Sequence, residues 1–66
     1  MSRITRIILY DAATEIGLGE SDDKQWVLFE GPVLDQRPYR WIARGSNYPS
    51  LHEQYLQLTR AARERL

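Results

Sequence analysis

Ser50-Leu51-His52-Glu53-Gln54-Tyr55-Leu56-Gln57-Leu58-Thr59-Arg60-Ala61-Ala62-Arg63-Glu64-Arg65-Leu66 is the stretch whose reading decides the fold. Its apolar residues Leu51, Tyr55, Leu58, Ala62 and Leu66 recur at steps of three and four, with Ala61 beside them. That spacing draws one stripe along an α-helix. Gln54, Gln57, Arg60, Arg63 and Glu64 fall on the other face. Ser50 followed by Glu53 has the form of a capping box, in which each side chain accepts from the other residue's backbone N–H. The pattern predicts a helix near 51–65 that opens at Ser50, with Pro49 barring an earlier start. Arg60, Arg63 and Arg65 lie in its last turns, where positive charge complements the helix dipole without any ligand.

Upstream of the helix the periodicity changes from 3.6 to 2. Over 39–44, Tyr39, Trp41 and Ala43 alternate with Arg40, Ile42 and Arg44, which predicts a strand with one polar face. Gly45-Ser46-Asn47 then turns the chain. Over 25–30, Trp26 and Leu28 point one way and Val27 and Phe29 the other, ending at Gly31-Pro32. Ser21-Asp22-Asp23-Lys24 fits a hairpin loop, and its acids are explained by turn chemistry. The segment 15–20 alternates Ile16 and Leu18 with Gly17 and Gly19, and two glycines predict a weakened strand at a bulge or an edge. Ile4 to Tyr10 carries apolar residues on both faces, which predicts a strand in the centre of the sheet. The expected architecture is α+β: a small antiparallel sheet of three to four strands in the order β-β-β-β-α, packed against one C-terminal amphipathic helix.

At 66 residues the chain is expected to be a single domain burying only about 60% of its unfolded surface. With no cysteine, neither a disulfide nor a thiolate metal site can supplement the core. The core therefore has to come from Trp26, Trp41, Phe29, Tyr10, Tyr39, Tyr55 and Ile7-Ile8-Leu9. The apolar stretch 7–10 is far shorter than a secretory or transmembrane run. A cytoplasmic location and no membrane association are expected. Net charge is zero, but residues 19–37 hold Glu20, Asp22, Asp23, Glu30 and Asp35 against Lys24 and Arg37, a net of −3. Residues 38–66 hold Arg40, Arg44, Arg60, Arg63 and Arg65 against Glu53 and Glu64, a net of +3. Such an imbalance can steer a partner, although it is more often an ordinary solvated surface.

Catalysis needs a nucleophile with a base, or an acid with a base, in one pocket. One histidine, His52, beside a helix start and no cysteine argue against an enzyme. Glu20, Asp22 and Asp23 lack the ligand set of a calcium loop, and Gly17-Leu18-Gly19 lacks the lysine and hydroxyl of a phosphate loop. Neither a metal nor a cofactor is expected. Arg40 and Arg44 on one strand face, with Tyr39 and Trp41 on the other, are suitable tools for nucleic acid; a near-neutral pI opposes that reading. The leading expectation is protein binding, as an adaptor, regulatory or accessory protein, with a second copy in a homodimer as the simplest partner. Trp26 with Leu28, or Tyr39 with Trp41, would form the uncovered sheet face. Leu34 and Arg37, in the proline-bearing loop 32–38, offer a second surface. The candidate partner-binding set is thus Trp26, Leu28, Leu34, Arg37, Tyr39, Arg40, Trp41 and Arg44.

Overall fold

The computed structural model describes residues 3–32 and 40–65. Four antiparallel strands form one sheet in the order β1-β2-β3-β4: β1 Ile4–Asp11, β2 Ile16–Ser21, β3 Trp26–Glu30 and β4 Arg40–Gly45. The helix α1, Tyr48–Arg63, follows and packs mainly on β2, β3 and β4. The α+β class and the element order expected from the sequence are those of the molecule.

Two strand positions differ from expectation. β1 is an edge strand, and β2, with its two glycines, lies inside the sheet. Ile7 to Tyr10 are each half-buried, so both faces of β1 have partial cover although the strand lies at the edge. Its register against β2 shifts between Ile4 and Arg6 and again between Ile7 and Leu9. Bulges of this kind twist an edge strand and blunt it against further pairing. The glycines of β2 are there for close approach. A Cβ on Gly17 would stand 2.4 Å from Phe29 Cζ, and one on Gly19 would stand 2.6 Å from the Arg6 carbonyl oxygen.

Cross-strand pairs assign the two faces. Leu9, Leu18, Leu28 and Ala43 are paired in sequence across the sheet and share the helix side. Tyr10, Gly17, Phe29 and Trp41 share the opposite side, as do Ile7, Gly19, Val27 and Arg44. Both layers are closed at their centres, since Leu18, Leu28, Val27 and Phe29 are each 0% exposed. Ile16 and Leu51 complete the buried apolar set on the helix side.

The turns follow local chemistry. Between β2 and β3 the Lys24 N–H donates to the Ser21 carbonyl at 3.0 Å and Lys24 itself is left-handed (φ 63°). This is the three-residue hairpin in which a type I turn is followed by a left-handed residue. The Ser21 hydroxyl donates to the Asp23 carboxylate inside that turn. Between β1 and β2 the Glu15 N–H donates to the Asp11 carbonyl at 2.7 Å, with Glu15 at φ 59°.

The helix begins three residues earlier than the capping-box pattern predicts. Asn47, extended at φ −95° and ψ 94°, is the N-cap, and its side-chain oxygen accepts from the Ser50 N–H at 3.3 Å. Pro49 does not bar this start, because it occupies the first turn, where its missing N–H would have had no partner. Ser50 is then an interior residue of that turn. The stripe Leu51, Tyr55, Leu58 and Ala62 does face the sheet, joined by buried Thr59, while Ala61 is exposed. Thr59 tolerates burial because its hydroxyl donates to the Tyr55 and Leu56 carbonyls at 2.9 and 3.1 Å. Asn47→Ala is expected to cost about 1 kcal/mol, whereas Ser50→Ala should stay within about 0.5 kcal/mol of wild type; urea unfolding of both variants checks the assignment.

Candidate functional site

Of the eight residues singled out by sequence, Leu34, Arg37 and Tyr39 lie outside the described residues. Leu28 is core, not surface: it is fully buried beneath the helix. Trp26 is half-buried at the start of α1, where the Tyr48 ring meets it edge-on at 4.8 Å and stacks in turn on His52 at 5.7 Å. Trp26 and Leu28 therefore belong to the face that the helix covers.

Arg40, Trp41 and Arg44 do lie on β4, an edge strand of the sheet, but not as simple alternation implies. The register between β3 and β4 shifts between Leu28 and Phe29, so Ala43 pairs with Leu28 while Trp41 pairs with Phe29. The irregularity puts Arg44 on the same side as Trp41, with its guanidinium carbon 5.9 Å from the ring centroid. Arg40 shares the helix side with Glu30. The two arginines expected on one face thus stand on opposite faces. Each also meets a carboxylate: Arg40 donates to Glu30 from Nε at 3.2 Å and from Nη2 at 2.8 Å, and Arg44 Nη1 lies 3.9 Å from Asp23.

These pairs dissolve much of the charge imbalance read along the chain. Glu20, Asp23 and Glu30, from the acidic segment, are met by Arg6, Arg44 and Arg40. All three arginines are more than half exposed, so each pair contributes little to stability.

What the β4 bulge creates is a cleft. Ile42, 37% exposed, stands beside α1 at the mouth of a hollow of about 230 Å³. Its apolar wall is Ile16 of β2, Ile42 of β4, and Leu58, Ala61 and Ala62 of α1; Glu30, Arg40 and Arg65 form the rim. That volume is below the roughly 300–1,000 Å³ of sites that enclose a small molecule, and it suits protruding side chains. A broader trough of about 460 Å³ runs along α1 past Leu56, Thr59, Arg60, Arg63 and Glu64. Leu56, 51% exposed, is its one large apolar group among the described residues. Sequence reading passed over Ile42, Leu58, Ala61, Ala62 and Arg65 as site residues. The available signal was Ile42 itself, a large apolar residue in the otherwise polar row Arg40-Ile42-Arg44.

A latch holds the helix end that forms the cleft's wall. Asp11, its side chain 8% exposed, accepts from Arg63 Nε at 3.0 Å, from the Thr14 hydroxyl at 2.9 Å and from the Ala13 N–H at 3.3 Å. The Arg63 hydrogen bond, helped by those from Thr14 and Ala13, holds the Asp11 carboxyl below its ordinary value of 3.8 against the opposing effect of burial. Asp11 in turn raises the Arg63 guanidinium, and burial followed by the Asp11 charge raises the Tyr55 phenol. A carboxyl lowered by folding stabilises the native state above its unfolded value and ceases to do so as pH falls through the folded one. Wild type should therefore melt above Asp11→Asn at neutral pH, and the gap should close on acidification below the ordinary carboxyl value of 3.8. Thermal melts across that range measure it.

Among the described residues, no group of three or more histidine, cysteine or carboxylate side chains converges as a metal site. Among them, too, no helix is long and apolar enough to cross a membrane. Fold and cleft together define the chain as a small α+β domain, a four-stranded meander clasped by one C-terminal helix. Comparisons with protein-family models, with curated proteins and with solved structures find no match to the chain.

Proposed function

We propose that this chain is a small non-catalytic protein-binding domain, an adaptor or accessory element that works in the cytoplasm through the β4 edge of its sheet and the adjoining flank of α1. The observation that carries this reading is Ile42: a large aliphatic side chain held 37% exposed in a mixed cleft whose other apolar lining comes from β2 and α1 and whose charged lining is Glu30, Arg40 and Arg65. Leaving Ile42 37% exposed forfeits roughly a third of the ~1.5–3 kcal/mol that full burial is worth, and a rim of charged residues around an apolar centre is the ordinary anatomy of a protein interface. A second copy of the chain is a further partner for the β4 edge itself, outside the cleft, which would make the domain a homo-oligomer.

The nucleic-acid reading loses its main support, because Arg40 and Arg44 do not share a face and each meets a carboxylate. The test is a comparison of three baits in native lysate, with and without nuclease: wild type, Ile42→Ser and Leu56→Ser. A protein retained by wild type and Leu56→Ser but lost from Ile42→Ser supports binding through β4. Recovery that is the same for all three baits, or that vanishes with nuclease, overturns it.

A further inference from the structure

We infer that the cleft between β4 and α1 receives an acidic, leucine- or isoleucine-bearing segment of a partner protein, with the aliphatic side chain on the apolar wall and its flanking carboxylates on Arg65 and Arg40. The inference rests on the protein-binding reading and adds the chemistry of the bound segment. The wall formed by Ile16, Ile42, Leu58, Ala61 and Ala62 is aliphatic throughout. Among the described residues the cleft's apolar lining presents only methyl and methylene groups and no aromatic ring, so a branched aliphatic group is what it matches. Among the described residues the rim carries two cations, Arg40 and Arg65, against one carboxylate, Glu30. Arg40 is 72% exposed in its side chain while it holds Glu30, and Arg65 makes no ion pair among the described residues. An approaching segment therefore meets net positive charge, which favours carboxylates and disfavours lysine or arginine.

A second copy fits this cleft poorly. Among the described residues its most exposed large aliphatic residue is Leu56, which has Arg60 and Arg63 as well as Glu64 along the same flank of its helix. Inserting Leu56 would bring those cations towards Arg65 and Arg40.

The experiment uses the full ¹⁵N-labelled chain, titrated with three capped hexapeptides and followed by amide NMR. The first has two central leucines flanked by aspartates. The second replaces the aspartates by lysines, and the third replaces the leucines by serines. The first peptide should shift the amides of Ile42, Ala62 and Arg65 in a saturable, salt-weakened manner. The other two should bind those amides about tenfold more weakly or less. Ile42→Ser should weaken the first peptide about tenfold, and Arg65→Glu roughly two- to fivefold, with the amide spectrum otherwise that of the folded chain. Equal binding of the lysine peptide at the same amides would overturn the charge assignment and leave the protein-binding reading standing. If no peptide perturbs the cleft, the inference fails, and the bait comparison then decides separately whether the broader reading fails with it. Shifts of the cleft amides on dilution of the protein alone would make a second copy the occupant and overturn the inference.

Discussion

Phe29→Ala is expected to remove about 3–5 kcal/mol of stability, the usual cost of emptying a buried aromatic site. The face opposite the helix depends on this ring. Phe29 is 0% exposed, lies over Gly17 in the neighbouring strand, and has the Tyr10 ring stacked beside it at a centroid distance of 6.3 Å. Its cross-strand partner on the other side is Trp41. At roughly 0.05–0.15 kcal/mol per residue, a domain of this length holds only about 3–10 kcal/mol in all. The variant should therefore be largely unfolded at 25 °C or close to it, with the near-ultraviolet aromatic signal lost. Leu56→Ala, at a residue 51% exposed, supplies the contrast, with a change within about 0.5 kcal/mol. Urea unfolding of the two variants decides the point: a loss below about 2 kcal/mol for Phe29→Ala would mean that the ring does not close this face.

Much of this arrangement is legible in residue order. The 3.6-residue stripe from Leu51 to Ala62 and the period-2 segments before it have only one economical packing, a helix laid on an antiparallel sheet. Three features escaped because two local signals competed for the same residues. The Ser50–Glu53 pattern outweighed Asn47, since a proline at position 49 reads as a barrier until the helix is seen to start just before it. Gly17 and Gly19 read as weakness in a strand, whereas they mark where Phe29 and the Arg6 carbonyl pass close by. That distinction depends on the identity of the neighbouring strands, which no window along the chain contains. The bulge in β4 escaped for a related reason. Alternation in sequence placed Arg40 with Arg44 and Trp41 with Ala43, and a one-residue shift against β3 exchanged those partnerships. The cleft around Ile42 is a product of that shift. Its residues come from β2, β4 and α1, and proximity among three elements becomes visible only once the register is known.

The two glycines of β2 should fail differently when a methyl group is added, and the difference tests the packing on either side of that strand. A Cβ at Gly17 would stand 2.4 Å from Phe29 Cζ and 2.9 Å from each Cε. Gly17→Ala is thus opposed by a side chain, with an expected cost of about 1–3 kcal/mol. A Cβ at Gly19 would stand 2.6 Å from the Arg6 carbonyl oxygen and 3.0 Å from Ile4 Cγ2. That obstacle is backbone, and it cannot retreat without loosening the pairing of β1 with β2, so Gly19→Ala should cost at least as much. A glycine under a cross-strand aromatic ring is a recognised way of shielding strand backbone, which makes Gly17 and Phe29 one energetic unit. The double variant Gly17→Ala with Phe29→Ala should be more stable than the sum of its single losses predicts, by an interaction of about 0.5–3 kcal/mol. Ile4→Ala should bring no such relief to Gly19→Ala, because the carbonyl of Arg6 remains in the way. To keep the folded baselines measurable, both cycles are best run in a stabilising osmolyte, which strengthens burial without altering contacts. Strict additivity between Gly17→Ala and Phe29→Ala would show that the ring does not rest on that glycine, and relief of Gly19→Ala by Ile4→Ala would place a side chain where the structure has the backbone of β1.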